Sequence, residues 1–281
     1  MTAGKLAGIR PLLHDILPSI GYPYQRSISQ GGRRMAIRIF NGFTCDARWP
    51  SKLRTGLVCT LVETDQGLVL IDTGPGLEDY TQSHWMMKLF RVITRVSFDP
   101  QEAAVNQVRR LGYHPEDVHH IILTHMHFDH CGGLPDFPWA QVHVHHREFD
   151  AFAGKTHRWT DLAYIPRHIS KVKQWQLYDT KDELWYGQKA IRLPFTPEMW
   201  LVPLHGHSWG HCGVAVKLEK GWFFNAADAG AVYNNTTPTW LIKLVLGPHD
   251  ALLRQFFVDH PDVILSNSHM FPEWFDSRVW I

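Results

Sequence analysis

The stretch His125-Met126-His127-Phe128-Asp129-His130 places three imidazoles and a carboxylate within six residues. Packing does not call for such a density, because His is seldom fully buried without a partner and Asp almost never is. An apolar run, Ile121-Ile122-Leu123, precedes it and Cys131-Gly132-Gly133 follows, so it reads as a strand end opening into a loop. In extended backbone, residues two apart point the same way, so His125 and His127 can reach one ion. Asp129 and His130 lie past the bend and more naturally serve a second. Neutral imidazole with carboxylate suits zinc, iron or manganese.

Partners of the right type lie downstream. Pro203-Leu204-His205-Gly206-His207-Ser208-Trp209-Gly210-His211 is a second histidine-rich turn, with glycines that allow close backbone approach. Trp222-Phe223-Phe224-Asn225-Ala226-Ala227-Asp228 and Val263-Ile264-Leu265-Ser266-Asn267-Ser268-His269 are apolar runs ending in a carboxylate and a histidine. Each alone reads as a turn cap or a solvated loop residue. Three strand-like runs that all stop at ligand-type side chains point to a site built where strand ends meet loops.

These motifs resemble those of the metallo-β-lactamase superfamily, over about residues 56–269. His125, His127, Asp129 and His130 match its H-x-H-x-D-H motif, and Gly206-His207-Ser208-Trp209-Gly210-His211 matches its G-H-[ST]-x-G-H turn. Asp228 matches its metal-bridging aspartate, His269 its final histidine, and Asp72-Thr73-Gly74 its upstream D-T-G element. The resemblance implies an α/β fold, a four-layer αβ/βα sandwich, spanning 1–281 as a single domain with a dinuclear site. It implies His125, His127 and His207 on one metal, Asp129, His130 and His269 on the other, and Asp228 bridging. Two divalent ions are expected, zinc first, with iron, manganese or cobalt as alternatives. Asp129 is the candidate catalytic residue, a ligand that also carries a proton to the leaving group. Asp72 and His211 are expected to orient ligand imidazoles by hydrogen bonds.

Within the superfamily, Thr124 to Gly133 looks most like the N-acyl homoserine lactonase and esterase branch. The expected reaction is attack of a metal-bound hydroxide on the carbonyl of a small ester or lactone. Those lactonases carry a tyrosine three residues after the bridging aspartate, where this chain has Ala231; the nearest tyrosine is Tyr233. A phosphotriesterase is the chemical runner-up, a glyoxalase II-like thioesterase a further alternative, and a non-hydrolytic metal-binding or iron redox protein the reading from another class. Asp228 in place of cysteine argues against a cysteine-containing β-lactamase, and His127 in place of glutamate against a flavodiiron enzyme.

Composition narrows the partners. A net charge of +1 gives no basic footprint for nucleic acid. No run approaches the roughly 20 apolar residues of a membrane-spanning helix. Residues 1–20 are broken by Pro11 and Pro18 and lack a signal-peptide core, so a cytoplasmic location is the default expectation, and a homodimer is compatible. The four cysteines are scattered, with no thiolate zinc pattern.

The positioning elements follow from periodicity. Residues 1–34 read as an irregular arm, and Met35 to Phe40 as a first strand. Leu57–Glu63 and Leu68–Ile71 read as a hairpin around Asp65-Gln66-Gly67, Gln101–Leu111 as a helix stopped by Gly112, and Val118–Leu123 and Val142–Val144 as strands, the latter leading into a helix near Glu148. Val214–Leu218 and Trp222–Asp228 read as a second hairpin, and His249–Phe257 as a helix. Residues 77–99 have helical spacing and read as a core-packed helix or a lid. The aromatic-rich stretch 153–200 is expected to supply a substrate-pocket wall. His119, His120, His143, His145, His146 and His205 are expected at the surface or flanking strands.

Overall fold

The computed structural model describes residues 37–47, 53–94, 96–97, 99–155, 159–231 and 238–270. The chain divides at Arg34, and the unit beginning at Met35 carries every element below. The expected arm 1–34, Met35 and Tyr233 lie outside the described residues.

In chain order the strands are β1 (Ile37–Ala47), β2 (Leu53–Thr64), β3 (Gly67–Ile71), β4 (Val96–Ser97), β5 (Val118–Ile122), β6 (Gln141–His145), β7 (Gln174–Tyr178), β8 (Leu184–Trp185), β9 (Gln188–Lys189), β10 (Ile191–Leu193), β11 (Met199–Pro203), β12 (Cys212–Lys217), β13 (Trp222–Asn225) and β14 (Val263–Ser266). The α-helices are α1 (Leu77–Thr81), α2 (Trp85–Thr94), α3 (Ala104–Arg110), α4 (Phe128–Cys131), α5 (His146–Asp150), α6 (Thr239–Leu246) and α7 (Asp250–Asp259). One sheet has the order β4-β1-β2-β3-β5-β6-β7, a second the order β10-β11-β12-β13-β14, and β8-β9 form a small ribbon. Parallel pairing runs from β3 through β7 in the first sheet and joins β13 to β14 in the second.

Period-two alternation assembles the layers. From β3, Val69 and Ile71 face the second sheet and pack with Val214, Val216 and Phe223. Their neighbours Leu68 and Leu70 face the other way, toward Val105 and Val108 of α3. Such double burial is why β3 is apolar at consecutive positions. On the far face of the second sheet, Val202, Phe224 and Leu265 pack with Leu253 and Phe256 of α7. Helix, sheet, sheet, helix is the expected four-layer sandwich.

Several boundaries moved. The helix expected over Gln101–Leu111 is a 3₁₀ turn, Pro100–Glu102, followed by the shorter α3. Gly112 ends it at φ +88°, where any side chain would be strained. Residues 77–99 break into α1, α2 and β4. Asp79 anchors the break: it accepts from Gly76 N at 3.0 Å and meets both Arg167 and His168. Helix α2 buries Met87 against Phe128 and Ile165 and leaves Trp85, Leu89 and Val92 exposed.

In the aromatic-rich stretch, Phe195 lies between the sheets and Trp185 packs under α7. The side chain of Trp159 lies outside the described residues. His143 is buried, contrary to the surface or flanking position expected, because β6 is an inner strand whose side chain here points between the sheets. Its ring nitrogens meet His120 at 3.0 Å and the Tyr178 hydroxyl at 2.9 Å. His145 is buried too, with Nε2 at 3.0 Å from Thr180.

Phe223 is fully buried between the sheets. Phe223→Ala should lower unfolding free energy by about 3–5 kcal/mol, read from urea or guanidinium unfolding. A change below about 1 kcal/mol would mean that the inter-sheet layer is not tightly packed.

Candidate metal centre

The expected ligands emerge from the ends of both sheets. Parallel pairing of Ile71 with Ile122 sets Asp72 beside the turn carrying Thr124 to His130. Parallel pairing of Asn225 with Ser266 does the same for the segments leading to Asp228 and His269. His207 lies in the connection between β11 and β12. The two sheets are joined at this edge by Cys212 N donating to Thr124 O at 2.9 Å, and Val58 N donating to Ser268 O at 2.8 Å.

All seven side chains converge. His125, His127 and His207 form one group, Asp129, His130 and His269 another, and His125, His130 and Asp228 a third, with the ligand atoms of each group within 4.8 Å of one another. Asp228 lies between the first two: its Oδ2 is 3.4 Å from His207 Nε2 and 3.4 Å from His269 Nε2, and its Oδ1 is 3.6 Å from His130 Nε2. Asp129 Oδ2 is 3.5 Å from His269 Nε2 and 3.8 Å from His130 Nε2.

Hydrogen bonds at the back of the His125, His130 and His207 rings aim their other nitrogen inward. His130 Nδ1 meets Asp72 Oδ2 at 2.9 Å. Thr124 Oγ1 donates to Asp72 Oδ2 at 2.8 Å, so its oxygen can accept from His125 Nδ1 at 3.1 Å. His207 Nδ1 donates to the Val245 carbonyl of α6 at 2.8 Å. Asp72 thus orients an imidazole as expected. His211 acts differently: its Nε2 accepts from Asp228 N at 3.0 Å, and its Nδ1 donates to Leu204 O at 3.2 Å, so it holds the backbone under the central carboxylate.

Two non-glycine residues here adopt left-handed backbone, Asp72 at φ +55° and Ala227 at φ +47°. Such conformations cost on the order of 1–3 kcal/mol and persist where surroundings dictate them. Asp72 accepts from Thr124 N at 2.9 Å, and Ala227 O accepts from Ser268 N at 3.1 Å.

Glu148, at the start of α5, was not singled out as a site residue from the sequence. It is fully buried, and its two oxygens accept from Met126 N at 2.9 Å, Tyr164 Oη at 3.0 Å, Ser208 Oγ at 2.8 Å and Gly210 N at 2.8 Å. A glutamate in a first helical turn ordinarily serves the helix dipole at the surface, so nothing local marks it as buried. Beyond the ligands, Phe43 packs on His269 with centroids 5.9 Å apart, and Phe90 packs on both Phe43 and Phe128, giving the site an aromatic flank. Tyr164 packs against His127 with ring centroids 5.2 Å apart and the rings tilted by 52°. His205 is half-buried, its Nδ1 on the His211 carbonyl.

The electrostatics divide the histidines. Burial holds His127 down at about 3, and its neighbour His207 adds to this. Burial likewise holds His125 and His211 well below the usual range. They are therefore neutral, the form that ligates metals. For His130 and His269 burial acts downward too, but the carboxylates outweigh it. Asp228, Asp72 and Asp129 lift His130 well above its usual value, and Asp228 and Asp129 lift His269 to about 10. Burial would raise Asp129, yet His130 and His269 hold it at about 2; Asp228 is held low against burial by the same two histidines.

Fit to a metal can be judged from the donors themselves. Nε2 of His125 and His130 and Oδ1 of Asp228 are buried without a hydrogen bond among the described residues. Buried polar atoms are otherwise nearly always paired. The His207 Nε2 to His127 Nδ1 separation of 3.1 Å is close to the roughly 3.3 Å between nitrogens sharing a tetrahedral zinc at about 2.0–2.1 Å. The donor set fits divalent ions.

Fold and site together define a layered α/β protein with clustered ligand-type side chains at one sheet edge. The chain belongs to the metallo-beta-lactamase superfamily, whose sequence model matches residues 56–224. It is 36% identical over 171 residues to a probable metallo-hydrolase of Mycobacterium tuberculosis, covering 60% of this chain and 55% of that protein. It is 27% identical over 165 residues to an N-acyl homoserine lactonase of Bacillus thuringiensis, covering 58% of each. The chain thus spans little more than half the length of these relatives. Among solved structures, an N-acyl homoserine lactone hydrolase with N-hexanoyl-L-homoserine at its catalytic metal centre superposes with a TM-score of 0.63 at 21% identity, over 88% of this chain and 98% of that one. That likeness concerns the fold. Among the described residues no helix is long and apolar enough to cross a membrane.

Any divalent ion held by His130 and His269 would compete with protons for them. Ion binding should release protons, and apparent affinity should strengthen as pH rises through neutrality toward the raised His269 value of about 10. Isothermal titration at pH 7 in buffers of different ionisation enthalpy reads the proton count; no release would contradict the assigned charges.

Proposed function

We propose that the chain is a dinuclear metal-dependent hydrolase that cleaves a small ester or lactone. In this reading His125, His127 and His207 hold one ion, Asp129, His130 and His269 hold the other, and Asp228 is shared. Zinc is the first choice for both, with iron, manganese or cobalt as alternatives. The observation that carries it is the set of buried, hydrogen-bond-free ligand atoms from both sheets gathered around one carboxylate. Two such ions, when bound, supply a water of lowered pKa and a Lewis acid for a carbonyl or phosphoryl oxygen.

The protein's own groups have separate tasks. Buried His125 and His127 stay neutral, while Asp72 keeps His130 Nε2 directed at the two aspartates. In this reading Asp129 receives a proton and passes it to the leaving oxygen. It lies on the open side of the cluster, beside His269, whose side chain is 31% exposed. The partly exposed Phe90, backed by buried Phe43 and Phe128, would receive an apolar portion of the substrate. The lactone preference is supported by the names of the Bacillus relatives. At the position of their tyrosine, Ala231 turns its backbone N–H to Asp250 at 2.8 Å, so any phenol must come from elsewhere.

Purified protein should hydrolyse at least one member of a panel of lactones, aryl esters, phosphotriesters and thioesters, with loss on chelation and recovery on adding zinc or manganese. Turnover confined to phosphotriesters or thioesters would move the assignment to those classes, and none in any metal form would remove it.

Asp228 and Asp72 should separate in mutants. Asp228→Ala should lower both metal stoichiometry and kcat, because it removes the anion between two dications. Asp72→Ala should retain two ions at about 10–100-fold weaker affinity or activity. Metal analysis with kcat on the best panel substrate checks this, and the reverse order would overturn the division of roles.

A further inference from the structure

We infer that Glu148 is a positioning residue that sets the His125–His127–His207 group and leaves the Asp129–His130–His269 group untouched. The inference rests on the metal reading above. Its basis is where the four hydrogen bonds of this carboxylate end. Met126 lies between His125 and His127, so its N–H on Oε1 fixes the backbone bearing both rings. Ser208 follows His207 directly, and its hydroxyl with the Gly210 N–H on Oε2 fixes the turn bearing that ring. Each loop thus has its own oxygen, and the two loops belong to different sheets.

The contact is tight as well as hydrogen-bonded. A Cβ on Gly210 would lie 2.2 Å from Glu148 N, so the second loop rests directly on the backbone of α5. Tyr164 Oη, the remaining partner on Oε1, brings its ring against His127. The other group is held differently. Asp72 reaches His130 directly, Thr73 N donates to the His130 carbonyl at 2.8 Å, and Ser268 N is held by Ala227 O at 3.1 Å. None of these contacts involves Glu148.

Every partner of Glu148 donates, which only a carboxylate with two accepting oxygens can satisfy. In Glu148→Gln the amide nitrogen must face Met126 N–H or Gly210 N–H, and neither backbone group can turn round to accept. One loop is released while size and shape are kept. The expected result is weakened binding at one metal position with the other unchanged.

The test is titration of metal-free protein with Co²⁺, followed by its visible absorption and by equilibrium dialysis. Wild-type protein should take two ions; if it takes none, the metal reading fails and this inference fails with it. His207→Ala supplies the spectrum of protein lacking the three-histidine ion. Glu148→Gln should bind the Asp129–His130–His269 ion with wild-type affinity and the other about 10–100-fold more weakly, its one-equivalent spectrum resembling that of His207→Ala. Ser208→Ala and Tyr164→Phe, which remove single donors, should weaken the same ion to a smaller extent, and they decide the matter if Glu148→Gln does not fold. Equal weakening of both ions, or unchanged affinity in these variants, would overturn the inference.

Discussion

Face-to-face packing of the two sheets is the interaction on which the rest depends. Val69, Ile71 and Ile122 from one sheet meet Val214, Val216 and Phe223 from the other. That apolar layer fixes the distance between two sets of strand ends, neither of which carries a complete ligand group. His125, His127, Asp129 and His130 come from the first sheet, and His207, Asp228 and His269 from the second. Hydrophobic burial is non-directional, so it brings the edges together without selecting any ring orientation.

Orientation comes from buried carboxylates. Asp72, Asp228 and Glu148 are all buried at this edge, an arrangement tolerable only where each has donors or cations around it. Asp72 and Glu148 face protein groups alone and act as fixed acceptors behind the rings. Asp228 faces three histidines and is supported from below by its own N–H on His211. Local backbone follows the same demand. The left-handed conformations of Asp72 and Ala227 place a carboxylate directly at a strand end and just before Asp228.

The surroundings differ on the two sides of the cluster. The His125 side is closed, with its ring fully buried and α5, Tyr164 and Ser208 packed behind it. The His269 side is more open, its side chain 31% exposed, and rests on the buried ring of Phe43. The exposed Trp85, Leu89 and Val92 continue the apolar character outward along α2.

Much of this was legible in the order of residues, because period and punctuation are local. The hairpin β2–β3, the strand β5 feeding the histidines, the hairpin β12–β13 and the helix α7 follow from alternation, apolar stripes and glycine turns, and the ligand types stand out because packing has no use for them. Boundaries were less legible where tertiary contacts cut across a periodic run: Asp79, pinned by Arg167 and His168, belongs to a break that helical spacing alone does not show. Burial of His143 depends on β6 being an inner strand, and the place of Trp185 on its packing under α7. The role of Glu148 depends on two loops distant in sequence arriving at one carboxylate. Sequence by itself determined which side chains are of ligand type and which strands deliver them, since both are properties of single segments. Only the tertiary structure decided which rings share a neighbourhood, which nitrogen of each points inward and which carboxylates hold them there, because those depend on contacts between segments far apart in the chain, such as Val58 with Ser268, brought together by sheet packing.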